Sequence, residues 1–264
     1  MSIQITRSPM GIVTCLLDNP QRRNALNGVM LQALCETYEA AGQGDGIRAV
    51  VLRGAHGTFC AGRDLRELDA RQDDSDASIA ERIAPVTRLA QAVRQCAVPT
   101  VAVIEGKAVG LGVALASWCD LVLAADDALF QIPEARAGIV PTYTAVSLAQ
   151  AIGQRQALAM CLGGRPIGAM LAQTYGLVQQ ICPATALDDD IDTLCQCLIA
   201  CGPQALRQCK DLLVRARGQP FDVAIESAAA LSVASMRSAE ALEGMQAVLG
   251  KRSPAWTQPP RQDC

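Results

Sequence analysis

Short apolar runs that favour β-strands alternate with helical patterns along the first half of the chain, and this alternation restricts the fold more than any other feature. The runs that predict strands are Gly11–Leu17, Arg48–Leu52, Val101–Ile104 and Leu121–Ala124. The segments with apolar residues at helical spacing are Asn27–Ala41 and Ala80–Cys96, the second with Pro85 near its start. Strands that alternate with helices are typical of α/β folds, so we predict an α/β core.

Helical patterns dominate after Ala145, separated by short Gly or Pro breaks. The predicted helices are Ala145–Ile152, Arg155–Cys161, Gly168–Tyr175, Leu187–Cys201, Pro203–Arg217, Phe221–Met236 and Ala239–Leu249. We therefore predict a core over residues 1–195 and a helical C-terminal region over residues 196–264. The stretch 221–249 carries more Ala, Leu, Val and Met than a lone surface helix needs, which indicates self-association.

The charge balance argues against one broad class of function. Charged residues make up 19% of the 264 residues, and the formal net charge is −3. A general nucleic-acid binder needs a basic face that releases counterions from the phosphate backbone. We therefore expect no nucleic-acid partner, although a small basic patch for a phosphorylated ligand remains compatible with this composition.

The sequence predicts neither a secretory leader nor a membrane span. Met1–Gly11 is polar and lacks an apolar run after a basic start. The uncharged run Ala108–Cys119 is too short to cross a bilayer. The longer run Ala137–Gln154 contains Pro141 and several polar residues, so we interpret it as a buried loop and helix. We expect a cytoplasmic protein with no membrane partner.

The cysteines and the single histidine predict no metal site. Twelve cysteines in a chain of this length without a secretory leader favour reduced thiols in the core. In the densest cluster, Cys195, Cys197 and Cys201, the first two thiols point to different faces of a helix. A Ser–His–Asp hydrolase is also disfavoured because no GxSxG motif occurs, and we expect His56 in an exposed loop.

Two segments with small residues could present backbone amides to a ligand. Phe59–Leu65 (FCAGRDL) turns tightly after a strand and leads into a helix-like segment that Asp64 can cap. Gly106–Gly112 (GKAVGLG) runs into a helix, whose N-terminal amides favour negative charge. Because its spacing differs from the Rossmann fingerprint and the P-loop, a phosphate or dinucleotide loop is the weaker interpretation. The other interpretation is an oxyanion site for a carbonyl.

One carboxylate stands in an otherwise apolar segment. Glu134 follows Pro133 within Ile132–Pro141 (IPEARAGIVP). Burial at this point would raise the pKa of Glu134 toward a value useful for general acid/base catalysis. The alternative is a salt bridge to Arg136 or an exposed turn, and the segment on its own favours that alternative.

Taken together and in order, these segments resemble the crotonase family of enoyl-CoA hydratases and isomerases over nearly the whole chain. The matching segments are Asn19–Pro20 with Arg23–Leu26, FCAGRDL, GKAVGLG with Cys119–Asp120, PEARAGIVP, and Lys251–Pro254 with Trp256. Each is weak alone, but their order makes a strong signal. The resemblance implies a spiral of ββα units with a C-terminal helical trimerisation region, a homotrimer or hexamer, and an acyl-CoA thioester substrate.

The resemblance also implies roles for individual residues. The backbone amides of Arg63 and Leu111 would form an oxyanion hole for the thioester oxygen, and Glu134 would be the catalytic acid/base. Coenzyme A, as part of the substrate, would bind at Arg23, Ala25, Ala61 and Lys251, and no other cofactor is implied. The basic turn Gln21–Asn24 and the pair Lys251–Arg252, on an otherwise acidic chain, suit its phosphates.

Two departures from the usual hydratase pattern bear on the activity. Ala114 stands where typical members carry the first of two glutamates, and Thr142–Thr144 replaces a Gly-rich continuation. Bacterial methylglutaconyl-CoA and isohexenylglutaconyl-CoA hydratases share the loss of the first glutamate, and the region Glu134–Gly153 is most similar to theirs. The leading hypothesis is a lyase that adds water to a 2,3-unsaturated acyl-CoA. The alternatives are an enoyl-CoA delta isomerase and a non-catalytic acyl-CoA-binding member.

Overall fold

The computed structural model describes residues 2–43, 46–68 and 74–258, and within these ranges the strands form two sheets. The strands are β1 (Ser2–Arg7), β2 (Ile12–Asp18), β3 (Ala49–Gly54), β4 (Thr100–Ile104), β5 (Lys107–Val109), β6 (Leu121–Ala125), β7 (Leu129–Gln131), β8 (Ile167–Gly168) and β9 (Gln180–Cys182). The large sheet has the order β1-β2-β3-β4-β6-β9, and the small sheet has the order β5-β7-β8.

The helices follow the strands in the order that the α/β pattern predicts. They are α1 (Gly28–Gln43), α2 (Asp76–Gln95), α3 (Leu111–Trp118), α4 (Thr142–Ile152), α5 (Gln154–Gly163), α6 (Ala169–Thr174), α7 (Leu187–Ala200), α8 (Pro203–Ala216), α9 (Phe221–Met236) and α10 (Ala239–Leu249). None of the described helices is long and apolar enough to cross a membrane.

The central strands β3, β4 and β6 of the large sheet are buried on both faces. Apart from the antiparallel pair β1–β2, its neighbouring strands run parallel. Val50 and Leu52 contribute to the main hydrophobic cluster, whereas Ala49 and Val51 contribute to a second cluster that includes residues of α7. In a sequence, parallel strands covered on both faces appear as continuous apolar runs. The segment Arg48–Leu52 therefore lacks the alternation of polar and apolar residues that a half-exposed strand shows.

Successive turns of the chain repeat one pattern and stack on each other. In two turns a strand of the large sheet leads to a strand of the small sheet and then to a helix: β4-β5-α3 and β6-β7-α4. The turn that begins with β3 contributes Cys60, which pairs in parallel with Ala108 of β5. Because β5 in turn pairs in parallel with β7, the three turns form the predicted spiral of ββα units.

The C-terminal part of the chain is tied to the core through a buried arginine. Arg48 donates hydrogen bonds to the carbonyls of Cys201 (2.6 Å) and Ile199 (3.0 Å) at the end of α7, and to the carbonyl of Trp256 (3.0 Å). The boundary predicted between residues 195 and 196 falls within helix α7. The division into a core and a C-terminal region stays a prediction. Exposed apolar side chains lie on α9 and α10, among them Phe221, Val248 and Leu249.

Two local expectations need correction. Helix α2 begins at Asp76, because Ser75 caps it by accepting a hydrogen bond from Ser78 N, and not at Ala80. The start of the uncharged run after Ala137 is not buried, since the side chains of Ile139 and Val140 are 48% and 72% exposed. The strands β1, β5, β7, β8 and β9 were not predicted.

Candidate functional site

The segments Phe59–Leu65 (the first site loop) and Gly106–Gly112 (the second site loop) lie side by side. Cys60 N donates to Lys107 O at 3.1 Å, and Val109 N donates to Cys60 O at 2.9 Å. On its other side the first site loop pairs with Leu26, whose N–H donates to Gly62 O at 2.8 Å. Both loops are therefore anchored to the small sheet, the first through Cys60 and the second through β5.

Two glycines allow the close approach between these segments. Gly62 has a φ of +93°, and a methyl group on it would lie 2.9 Å from Val109 O and 3.4 Å from Leu111 N. Gly110 has a φ of +53°, and a methyl group on it would lie 2.4 Å from Glu134 Oε1. Both positions favour glycine because φ is positive and because neighbouring atoms occupy the space that a side chain would need.

The amides of Arg63 and Leu111 have no hydrogen-bond partner within the described part of the chain. Leu26 pairs in parallel with Arg63 through two hydrogen bonds, from Leu26 N to Gly62 O and from Asp64 N to Leu26 O. In this pattern the N–H of Arg63 points away from Leu26. Leu111 opens α3, so its N–H belongs to the first-turn donors that lack an intrahelical acceptor. Each amide is therefore free to bind a ligand oxygen.

Glu134 brings a carboxylate to the second site loop. It opens the short 3₁₀ helix Glu134–Ala137 beyond β7, and Gly110 N donates to Gln131 O at 2.8 Å, which joins the two segments. Its Oε2 atom is buried and has no hydrogen-bond partner among the described residues. Burial raises the pKa of Glu134 above its ordinary value.

The alternative interpretation of Glu134 as a salt-bridge partner of Arg136 is not supported. A methyl group on Gly164 would lie 3.0 Å from Arg136 Nε, so the Arg136 side chain extends toward Gly164. Within the ranges that the structure describes, no ion pair to Glu134 occurs. The carboxylate is half-buried without a compensating cation, which is the environment that suits a proton-transfer group.

The other carboxylates around the two site loops are already engaged. Asp64 is buried, accepts from Arg66 N at 3.1 Å and pairs with Arg66 Nη2 at 2.8 Å, which agrees with its predicted capping role. Glu67 accepts from Gly28 N at 2.8 Å. Asp120 accepts from Thr100 N at 2.8 Å and from Lys210 Nζ at 2.6 Å.

Helix α4 supports the site in a way that the sequence did not indicate. Thr144 is buried, and its hydroxyl donates to Gly110 O at 3.2 Å. The Tyr143 hydroxyl lies 2.6 Å from the Thr87 hydroxyl on α2. The departure Thr142–Thr144 from the Gly-rich pattern was noticed in the sequence, but only the structure gives it the role of holding Gly110. Ala114 is fully buried on α3.

The structure brings together some of the residues predicted to bind CoA. Ala61 N donates to Arg23 O at 3.0 Å, and Leu26 N, next to Ala25, donates to Gly62 O at 2.8 Å, so Arg23 and Ala25 belong to a segment that runs along the first site loop. The Arg23 side chain is exposed. Lys251 is also exposed and follows α10, and within the described ranges no backbone hydrogen bond joins it to the site loops.

His56 and the cluster Cys195, Cys197 and Cys201 are not part of the two site loops. His56 is in an exposed loop and faces Asp18 Oδ1 at 3.0 Å, as expected for a surface histidine. Cys195 is buried, whereas Cys197 and Cys201 are exposed. Among the described residues no group of three or more His, Cys, Asp or Glu side chains could hold a metal ion.

Comparison with known proteins assigns the family. Residues 7–259 match the sequence profile "Enoyl-CoA hydratase/isomerase". The chain belongs to the enoyl-CoA hydratase/isomerase family. A putative enoyl-CoA hydratase of Thermus thermophilus is 30% identical over 252 residues, which cover 96% of this chain and 99% of that protein.

Solved structures share the fold of this chain. The enoyl-CoA hydratase of Mycobacterium smegmatis superposes with a TM-score of 0.90 at 31% identity, over 97% of this chain and 99% of that one. Pseudomonas aeruginosa AtuE superposes with a TM-score of 0.92 at 29% identity, over 98% of this chain and 100% of that one. These comparisons confirm the crotonase fold that the five sequence segments predicted.

Proposed function

We propose that the protein is an enoyl-CoA hydratase that adds water to a 2,3-unsaturated acyl-CoA. The observation that carries the proposal is the position of Glu134, whose carboxylate lies against Gly110, next to the partnerless amide of Leu111. A raised pKa and a buried oxygen without a partner suit a group that accepts and returns a proton. Within the family, the single-glutamate methylglutaconyl-CoA and isohexenylglutaconyl-CoA hydratases are the group we propose.

The two free amides supply the electrostatic part of the mechanism. The thioester oxygen accepts hydrogen bonds from the N–H groups of Arg63 and Leu111. Attack of water at C3 moves negative charge onto that oxygen, and the amides stabilise the resulting enolate. Because backbone groups do this, the side chains at positions 63 and 111 remain free for other roles.

Glu134 alone carries out both proton transfers in this mechanism. The ionised carboxylate takes one proton from water while the hydroxyl oxygen bonds to C3, and the enolate forms. The protonated carboxyl then returns that proton to C2 as the enolate collapses, so one water is consumed and the carboxylate is regenerated. Ala114 offers no second carboxylate on α3, which leaves both steps to Glu134.

Several parts of this proposal rest on the resemblance and stay predictions. They are the binding of CoA at Arg23, Ala25, Ala61 and Lys251, the assembly as a trimer or hexamer, and the cytoplasmic location. The hydrogen bond between Ala61 and Arg23 supports the first of these, since it holds the basic turn beside the first site loop. The exposed apolar side chains of α9 and α10 support the second.

A second activity is favoured by the alanine at position 114. An enoyl-CoA delta isomerase needs one carboxylate that moves a proton between C2 and C4, and it needs no activated water. The single carboxylate beside the proposed oxyanion hole fits this requirement equally well.

Incubation with acyl-CoA substrates in ¹⁸O-labelled water separates the two activities. For a hydratase, 2-enoyl-CoA gives a 3-hydroxyacyl-CoA that carries the label. For an isomerase, 3-enoyl-CoA gives 2-enoyl-CoA without label. Absence of both products over a panel of short, branched and carboxylated acyl-CoAs would contradict the catalytic proposal and favour a non-catalytic acyl-CoA-binding protein.

A further inference from the structure

The hydroxyl of Thr144 bonds outside its own helix, at the start of α3. A threonine within a helix commonly donates to the carbonyl four residues before it, as Thr37 does to Ala33 O at 2.8 Å. Thr144 lies in the first turn of α4, is buried, and donates instead to Gly110 O at 3.2 Å. This hydroxyl therefore joins helix α4 to the second site loop.

The oxygen that Thr144 contacts belongs to the same peptide group as the Leu111 N–H. A peptide group consists of the carbonyl of one residue and the N–H of the next, so Gly110 O and Leu111 N lie on opposite sides of one planar amide. Gly110 O also accepts from Val113 N at 2.9 Å and from Ala114 N at 3.2 Å. The carbonyl is thus held by these three donors, whereas the N–H has no acceptor among the described residues.

Hydrogen bonds to the carbonyl of an amide strengthen its N–H as a donor. Bonds linked in this way polarise one another, by about 10–30% per bond in a condensed phase. The Thr144 hydroxyl therefore makes the Leu111 N–H a stronger donor and restricts its direction. Both effects matter most where negative charge develops on the acceptor, as it does on a thioester oxygen during enolate formation.

Other contacts of α4 hold Thr144 in place before a substrate binds. The hydroxyl of Tyr143 lies 2.6 Å from the hydroxyl of Thr87 on α2. Ser147 lies three residues beyond Thr144, on the same face of α4, and its Oγ accepts from Trp118 Nε1 at 2.6 Å at the end of α3. Helix α4 therefore makes two hydroxyl contacts to α3 and its entry, and of these the one from Thr144 reaches the Gly110 carbonyl.

We propose that Thr144 is a positioning residue of the oxyanion hole, which orients and polarises the Gly110–Leu111 peptide so that its N–H binds the thioester oxygen more strongly as the enolate forms. This inference rests on the proposed function and deepens it. The amide of Arg63 has a corresponding support, because the carbonyl of its peptide, Gly62 O, accepts from Leu26 N at 2.8 Å. In the Gly110–Leu111 peptide the support includes a side-chain hydroxyl, which a substitution can remove.

The carbonyl stretching frequency of a bound thioester tests this role without any need for turnover. Hydrogen bonds to the thioester oxygen weaken the C=O bond. In infrared difference spectra, the band of butanoyl-CoA labelled with ¹³C at the thioester carbonyl should therefore move to lower frequency when it binds the wild-type protein. Thr144→Val is similar in shape but lacks the donor, so it should reduce this shift, and Thr144→Ser should restore most of it.

Ser147→Ala is the matched control for these spectra. It also removes a hydroxyl contact between α4 and α3, the one to Trp118, but it does not touch the Gly110 carbonyl. The band shift in this variant should equal that in the wild-type protein. Thr144→Val itself leaves Gly110 O with two backbone donors, so no buried carbonyl loses all of its partners and the variant should fold.

The kinetics of the same variants separate positioning from substrate binding. On a substrate that the wild type turns over, Thr144→Val should lower kcat about 3- to 10-fold, the effect of losing one ordinary hydrogen bond in the transition state. KM should change less than about twofold, because the bond strengthens mainly as charge develops. The rise of kcat with pH should persist, since Glu134 is unchanged. Thr144→Ser should recover most of kcat.

The alternative results distinguish this role from the hydratase proposal. Equal kcat and equal band shift in the wild type and Thr144→Val overturn the role of Thr144 and leave the mechanism at Glu134 intact. Equal losses in Thr144→Val and Ser147→Ala, with similar falls in melting temperature, also overturn it and give both hydroxyls a structural role. Absence of a band shift in the wild-type protein refutes the oxyanion hole and the role of Thr144 with it. A shift that Thr144→Val reduces, without turnover of any acyl-CoA, supports Thr144 and refutes the hydratase proposal.

Discussion

The carboxylate of Glu134 lies directly against Gly110, at a distance that leaves no room for any side chain at position 110. A methyl group there would come within 2.4 Å of Glu134 Oε1, and the φ of +53° disfavours other residues in addition. The same glycine precedes Leu111, whose amide is free. One small residue therefore sets both the place of the carboxylate and the entry into α3.

Gly110→Ala should damage catalysis more than folding. The added methyl group displaces Glu134 from the free amide of Leu111, and a misplaced acid/base costs about 100-fold in kcat/KM. The unfavourable φ alone costs about 1 kcal/mol of stability. Gly218→Ala is a matched control, because Gly218 has a φ of +80° with no atom within 4 Å of the new methyl group. If both variants lose the same activity, the contact with Glu134 is not the reason.

Replacement of Arg23 and Lys251 by alanine should weaken CoA binding. Each exposed cation is expected to contribute a charge-assisted hydrogen bond to a phosphate, so affinity should fall about 5- to 20-fold per residue. The dependence of affinity on salt concentration should flatten, since fewer ion pairs are screened. Calorimetry with free CoA measures both quantities. Unchanged affinity for free CoA in the Arg23→Ala or the Lys251→Ala variant would contradict the assignment of that residue to the CoA site.

The protein should self-associate through α9 and α10. Exposed side chains on these helices include Phe221 (77%), Val248 (77%) and Leu249 (84%), a concentration that water-facing helices rarely carry. Light scattering should give a mass three or six times the 27.8 kDa of one chain. Val248→Glu with Leu249→Glu should shift the mass toward a single chain, whereas a wild-type mass near 28 kDa would exclude the assembly.

The three motifs lie close together because each comes just after a position in one parallel stack, namely Cys60, β5 and β7. Cys60, β5 and β7 stack in successive turns, and Arg63, Leu111 and Glu134 come two or three residues beyond them. The strands themselves escaped prediction because a segment of three residues shows no readable period. Long, periodic segments such as α1 and α9 were predicted within a few residues of their bounds.

The partners of individual side chains could not be predicted, since they depend on contacts between distant segments. Thr144 bonds to Gly110 across 34 positions, and nothing in a single sequence relates the two. At position 63 the sequence predicted a role for the backbone amide only. The burial of the Arg63 side chain follows from the packing of α2 and of the turn at Glu67 around it. Ile139 and Val140 were wrongly predicted to be buried, because their hydrophobicity alone was taken to indicate burial.

The raised pKa of Glu134 predicts how stability depends on pH. Folding favours the protonated form of this carboxyl, so its contribution is fully present below the unfolded pKa and is lost as pH rises through the raised folded pKa. Glu134→Gln removes the buried charge, and the variant should therefore melt at the same or a higher temperature than the wild type at neutral pH. The difference should shrink when both are measured in acid. A clearly lower melting temperature of the variant at neutral pH would argue that the carboxylate stabilises the fold.

Glu134→Gln should abolish most of the turnover while CoA affinity stays nearly intact. The amide preserves the size and polarity of the side chain but cannot take a proton from water and return it to C2, and such transfers contribute about 10²- to 10⁴-fold to rate. The loss should appear in kcat, because ground-state contacts to CoA lie elsewhere. In the wild type, kcat should rise with pH through the raised pKa of Glu134, since the ionised form begins the reaction, and this rise should vanish in the variant. Asp64→Asn, which alters a carboxylate engaged by Arg66, serves as the control for general disturbance of the first site loop. If Glu134→Gln keeps turnover close to that of the wild type on a substrate that the wild type accepts, then another group moves the proton, and the assignment of Glu134 fails.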